Sequence, residues 1–131
     1  MGRGISLVVV STFLTALGGS AFAVGDHDGG KMAFAERCGI CHETGLGANP
    51  FVGPELNGIM GRLAASVPNY LKYSDGLKKL RESGFVWTQE NVDRLIANPK
   101  AVLPDSPMAV AFPGIPDARE RADIIAYLRA H

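Results

Sequence analysis

The chain is almost without cysteine, two in 131 residues, which excludes a fold stapled by a disulfide framework. It has no excess of either charge. Thirteen Lys and Arg stand against thirteen Asp and Glu, with no basic stripe and no long charged block, so nucleic acid is not an expected partner. Alternation of apolar and polar residues is missing, and so is any internal repeat, which argues against sheets and solenoids. No apolar run reaches the roughly 18–20 residues that span a bilayer. Wholesale disorder is excluded by a composition that is 47% hydrophobic and 20% charged, ordinary for a single globular domain.

The first 23 residues stand apart from the rest. Arg3 gives a positive start, residues 5–17 form a short apolar run, and Ala21-Phe22-Ala23 fits the small-x-small pattern of a cleavage site. This reads as a secretory signal peptide and implies a periplasmic protein of residues 24–131. Its side-chain charge is then about −1, because Arg3 is the single charged residue removed. At that size a domain buries only about two-thirds of its unfolded surface, and a bound apolar cofactor would add core.

Beyond the signal, "VGDHDGG" is polar and rich in glycine, so residues 24–29 are expected to be a flexible start, with a helix beginning near Gly30. Phe34, Cys38 and Cys41 share one face of a helix over residues 31–41. Residues 43–61 carry too much Gly, Pro and Asn for regular structure and need something to wrap. Short helices are expected over 68–73 and 75–82. Thr88 is placed to cap a helix that runs to Asn98 and buries Val92, Leu95 and Ile96, with Pro99 stopping it. Asp117 and Glu120 resemble a capping box opening a last helix striped by Ile124, Tyr127 and Leu128. Between these two helices, four prolines in residues 103–116 argue against helix.

Both cysteines lie in "CGICH", with His42 directly after the second. A thiol-disulfide exchanger carries its CxxC at a helix start beside a sheet, and this chain offers no sheet. Zinc needs four ligands, and the other histidines, His27 and His131, sit near the two ends. A disulfide across so short a loop would constrain little and leave His42 unexplained. Covalent haem attachment uses all three residues: each thiol adds to one vinyl group and the imidazole reaches iron. For the opposite side of the iron, Met32 is too close to the anchoring helix and Met60 lies in the segment expected to wrap the histidine side. That favours Met108, in the rigid proline-rich loop, over Met60; His27 and His131 could serve only if the chain ends folded inward.

These segments together resemble the class I c-type cytochromes, the family of mitochondrial cytochrome c and its soluble bacterial periplasmic relatives. The likeness rests on "CGICH", "GPELNGIMGR" at 53–62, "FVWTQENVDRLIANPKAVLPDSPM" at 85–108 and "ERADIIAYLRAH" at 120–131. It implies an all-α fold wrapped around one haem c bound through Cys38 and Cys41, with His42 and Met108 on the iron. The first and last helices would cross at Gly30, between Phe34 and Tyr127. By the same resemblance, the Pro54 carbonyl accepts from the other ring nitrogen of His42, and Arg62, Tyr73, Trp87 and Ser106 bind or shield the haem propionates. The chain departs from the pattern at Leu95, where many relatives have a tyrosine bonded to the methionine sulfur, and at Pro107, where lysine often precedes the methionine. Extra residues lie between Met108 and "PGI" and between Tyr73 and Trp87. The lysine ring that steers some relatives to acidic partners is thinned.

The expected function is one-electron transfer between redox proteins, without enzymatic activity, small-molecule substrate or nucleic acid, by a monomer. Two rivals differ in class. A haem enzyme or gas sensor would leave Met108 labile, and a dedicated subunit would stay docked to one dehydrogenase.

Overall fold

A computed structural model describes residues 24–131 together with Met1 and Gly2. The expected signal peptide therefore falls outside the described residues except for its first two. The first helix, α1 (His27–Arg37), starts three residues earlier than the glycines suggest, because the Asp26 side chain accepts from the Gly29 N–H and caps it. The Asp26 N–H in turn donates to the Asp123 carboxylate at 2.7 Å, so residues just before α1 are tied to the last helix. That helix, α6 (Ala118–Leu128), is opened as expected by Asp117, which accepts from the N–H groups of Arg119 and Glu120. Glu120 pairs with Arg37 at 2.7 Å, which adds a second tie between α1 and α6.

The crossing of α1 and α6 is the most extensive helix contact among the described residues. Gly30 is buried at its centre, and a Cβ there would fall on the Asp123 carbonyl of α6. Beside it the Phe34 and Tyr127 rings meet at 5.2 Å, as the resemblance implies.

Two expectations are corrected. Residues 68–73 form no helix: the Tyr73 hydroxyl takes the Val67 N–H, and the Tyr70 and Tyr73 rings pack edge to face at 4.8 Å. The Thr88-capped helix does stop before Pro99, as expected, with Asn98 as its C-cap, but residues 103–116 are not free of helix. A helix α2 (Asp75–Glu82), capped by Ser74, precedes α3 (Gln89–Ala97), capped by Thr88. Then come α4 (Pro99–Val102) and α5 (Pro107–Ala111), each with its proline in the first turn and a cap, Asn98 or Ser106, just before it. At the first helical position a proline lacks only an N–H that would have had no partner, so it begins a helix as readily as it ends one.

Val92 and Ile96 of α3, Ile124 and Leu128 of α6, and Trp87, Leu103 and Ile115 form one buried core. Arg121 pins its rim through Asp93 at 2.7 Å and the carbonyls of Ile115 and Pro116. Among the described residues there is no strand, only an isolated bridge between Leu63 and Val86, and the architecture is all-α.

Candidate functional site

The core is open on one side to a cavity of about 410 Å³, within the usual range for small-molecule and cofactor sites. Leu56, Ile59, Leu95, Ile96, Ile124 and Leu128 supply apolar wall. Cys38, Cys41 and His42 all line it, although not by continuing α1 as the periodicity suggests. The helix ends at Arg37, Cys38 is its C-cap, and a tight turn follows, in which the Cys41 and His42 N–H groups both donate to the Cys38 carbonyl. The turn, rather than a helix face, presents both sulfurs to one space.

His42 Nδ1 lies 2.8 Å from the Pro54 carbonyl. A carbonyl can only accept, so Nδ1 carries the proton and Nε2 keeps the lone pair a metal needs. Burial holds His42 below the usual imidazole pKa; the bond to Pro54 opposes this, and the Arg62 charge adds to it. Burial also pushes the Cys38 thiol up to about 12, reinforced by the Cys41 charge. A disulfide exchanger needs a thiolate near neutrality, which the burial of Cys38 disfavours.

Gly53 has no role in the sequence reading, yet it sets the position of His42. A Cβ at Gly53 would overlap the imidazole ring, and the Gly53 N–H holds the Cys41 carbonyl at 2.8 Å. The signal was present as the glycine before Pro54, but only the folded loop shows what it faces. Gly53→Ala is expected to force the ring off its Pro54 acceptor, costing about 1–3 kcal/mol through overpacking. Thermal unfolding, together with the histidine ring proton resonances, checks this.

Met108 lines the same cavity from α5, where Ser106 Oγ accepts the Met108 N–H at 3.1 Å. The competing methionines do not: Met60 packs on the core outside the lining, and Met32 is exposed. His27 and His131 are also absent from it; their rings stack 6.2 Å apart next to Tyr127. Leu95 is in the wall, where a tyrosine would have brought a hydroxyl.

The four residues assigned to propionates all line the cavity. Trp87 and Ser106 are buried. Tyr73 has its hydroxyl on Val67, and burial raises its pKa. Arg62 is engaged with Glu55 and two backbone carbonyls. Tyr70 and Lys72, not singled out in the sequence, join the lining, with the Tyr70 hydroxyl donating to the Val52 carbonyl at 2.9 Å.

No cluster of three or more His, Cys, Asp or Glu capable of holding a bare metal ion forms among the described residues. A macrocycle that brings four of the iron's ligands with it needs no such cluster. Apolar walls would shield its face from water, sulfurs at the turn would bond its edge, and His42 Nε2 is left free for its metal. The fold and cavity thus suit a haem protein of the c type.

No protein-family model matches the chain. It is 41% identical over 109 residues to cytochrome c2 of Rhodomicrobium vannielii, covering 83% of this chain and 82% of that protein. To cytochrome c2 of Agrobacterium tumefaciens it is 43% identical over 104 residues, 79% of this chain and 90% of that one. Among solved structures, cytochrome cH from Methylobacterium extorquens superposes with a TM-score of 0.70 at 39% identity, covering 82% of this chain and all of the other. The chain belongs to the class I c-type cytochromes. It is an electron-transfer protein rather than an enzyme, and its cofactor is one covalently bound haem c.

Proposed function

We propose that this cytochrome is a monomeric periplasmic carrier that passes single electrons between redox proteins, with His42 and Met108 as the residues that would hold the haem iron. The observation that carries the reading is the His42–Pro54 bond, which leaves the Nε2 lone pair of His42 in the same cavity as the Met108 thioether. When bound, haem c supplies reversible exchange between Fe(II) and Fe(III).

The protein's part is to hold and to exclude. Cys38 and Cys41 tether the cofactor, while His42 is fixed in its tautomer by Pro54 and in its place by Gly53. Met108 is carried on a helix begun by Pro107 and capped by Ser106, which restrains the backbone that carries the thioether. A neutral sulfur ligand and an apolar wall favour the reduced form. Export is supported by the apolar segment ending at Ala21-Phe22-Ala23. No helix among the described residues is long and apolar enough to cross a membrane.

The test is an absorption spectrum of protein matured in a host able to attach haem, taken oxidised and reduced, with the pyridine derivative to count thioether bonds. Two bonds and no spectral response of the reduced form to carbon monoxide are expected. A colourless product defeats the whole reading. A carbon monoxide adduct defeats the Met108 assignment and favours a sensor or enzyme.

A further inference from the structure

Arg62 presents a cation to the cavity but not a free one. A guanidinium has five N–H donors. Both hydrogens on Nη1 are committed, to Glu55 Oε1 at 3.0 Å and to the Asn57 carbonyl at 2.7 Å, and Nη2 gives one to the Glu55 carbonyl at 2.7 Å. Nε and one Nη2 hydrogen remain for anything bound in the cavity. The other Glu55 oxygen is held by the Asn57 N–H at 2.7 Å, so the carboxylate is locked from both sides.

The pair is also poorly hydrated. The Arg62 and Glu55 side chains are 18% and 19% exposed, so mobile ions screen them far less than a surface pair. Arg62 is in the cavity wall and Glu55 is not. The cation therefore faces the cofactor space with its counter-charge attached, and the field it exerts there is the difference between the two.

We propose that Glu55 is a charge-compensating and positioning residue that acts through Arg62 to hold the reduction potential below the value an unpaired Arg62 would impose. This rests on the haem site proposed above. A positive charge beside the cofactor favours the reduced form, which carries one more electron, and a carboxylate paired with that charge offsets the preference. The wall of the cavity is thus tuned by a residue that does not reach it.

Glu55→Gln keeps the shape and an acceptor oxygen but removes the charge. In an equilibrium redox titration of the haem-loaded protein, followed by absorbance, the ratio of reduced to oxidised form at fixed solution potential should rise about tenfold, or about 59 mV for one electron. Glu55→Asp, which keeps the charge, should stay within about twofold of the unaltered protein. Arg62→Gln should shift the ratio the other way, and the double variant Glu55→Gln/Arg62→Gln should return towards the starting value. A purely structural role for the pair would not produce opposite signs that cancel. If Glu55→Gln with attached haem leaves the ratio unmoved or lowers it, the role of Glu55 is overturned. A starting protein that holds no haem would instead remove the site on which the proposal stands, and it shows before any variant is made.

Discussion

Met108→Ala is expected to lower the reduction potential by on the order of 0.1 V, a fraction of the roughly 0.8 V range that axial ligation commands, and to make the reduced protein bind carbon monoxide. The expectation follows from what the cavity offers in place of the thioether. Met60 packs outside the lining, Met32 is exposed on α1, and His27 and His131 stack on each other beside Tyr127. Apart from Cys38 and Cys41, which would be taken up in tethering the cofactor, no second soft donor stands in the wall among the described residues, and Leu95 places hydrocarbon where a hydroxyl would have been. The vacated position would be open to water or to an added ligand. Redox titration and a carbon monoxide difference spectrum check both halves. An unchanged potential and an inert reduced form would show that Met108 is only a filler of the wall.

Gly30→Ala is expected to destabilise the domain by about 2 kcal/mol or more, lowering its melting temperature by roughly 10 °C. Two effects oppose each other. Alanine is the better helix former by about 1 kcal/mol. Against that, the new Cβ would fall on the Asp123 carbonyl, a backbone atom in the middle of α6 that cannot rotate away. To make room, the two helices must separate, and every contact along the most extensive helix crossing loosens with them. Overpacking of this kind costs about 1–3 kcal/mol even where side chains can adjust, so the steric cost wins. Gly29→Ala is the control. Its Cβ would meet the Asp26 side chain at 3.0 Å, and the helix gain should leave stability nearly unchanged. Thermal unfolding of the two variants, followed at the helix signal, separates position from composition.

The chemistry of this protein was legible in the sequence because it is local. The cysteines and His42 lie within five consecutive residues, and the structure brings them into one cavity with Met108. The caps at Thr88 and Asp117, and α2, were readable for the same reason: each depends on neighbours in the chain, whereas the crossing at Gly30, between segments far apart in sequence, came from the family resemblance. What escaped depends on context. Pro107 looks like a helix breaker until the cap before it is seen in place, Pro99 both ends α3 and begins α4, and Asp26 was hidden in a glycine-rich stretch. Residues 68–73 have the composition of a helix, but the Tyr73 hydroxyl took a backbone N–H instead. The roles of Gly53 and Glu55 come from how an irregular loop folds back on His42 and Arg62, and no periodicity encodes such a return.

The meeting of α1 with α6 also joins the two ends of the described domain. Gly30 and Phe34 find their cover only in residues from Asp123 onward, so nearly the whole polypeptide must be available before the two helices can clasp. Ile124 and Leu128 of α6 form part of the cavity wall that also holds the CGICH turn. A chain shortened to end before α6 would therefore lose the cover of Gly30 and that part of the wall together.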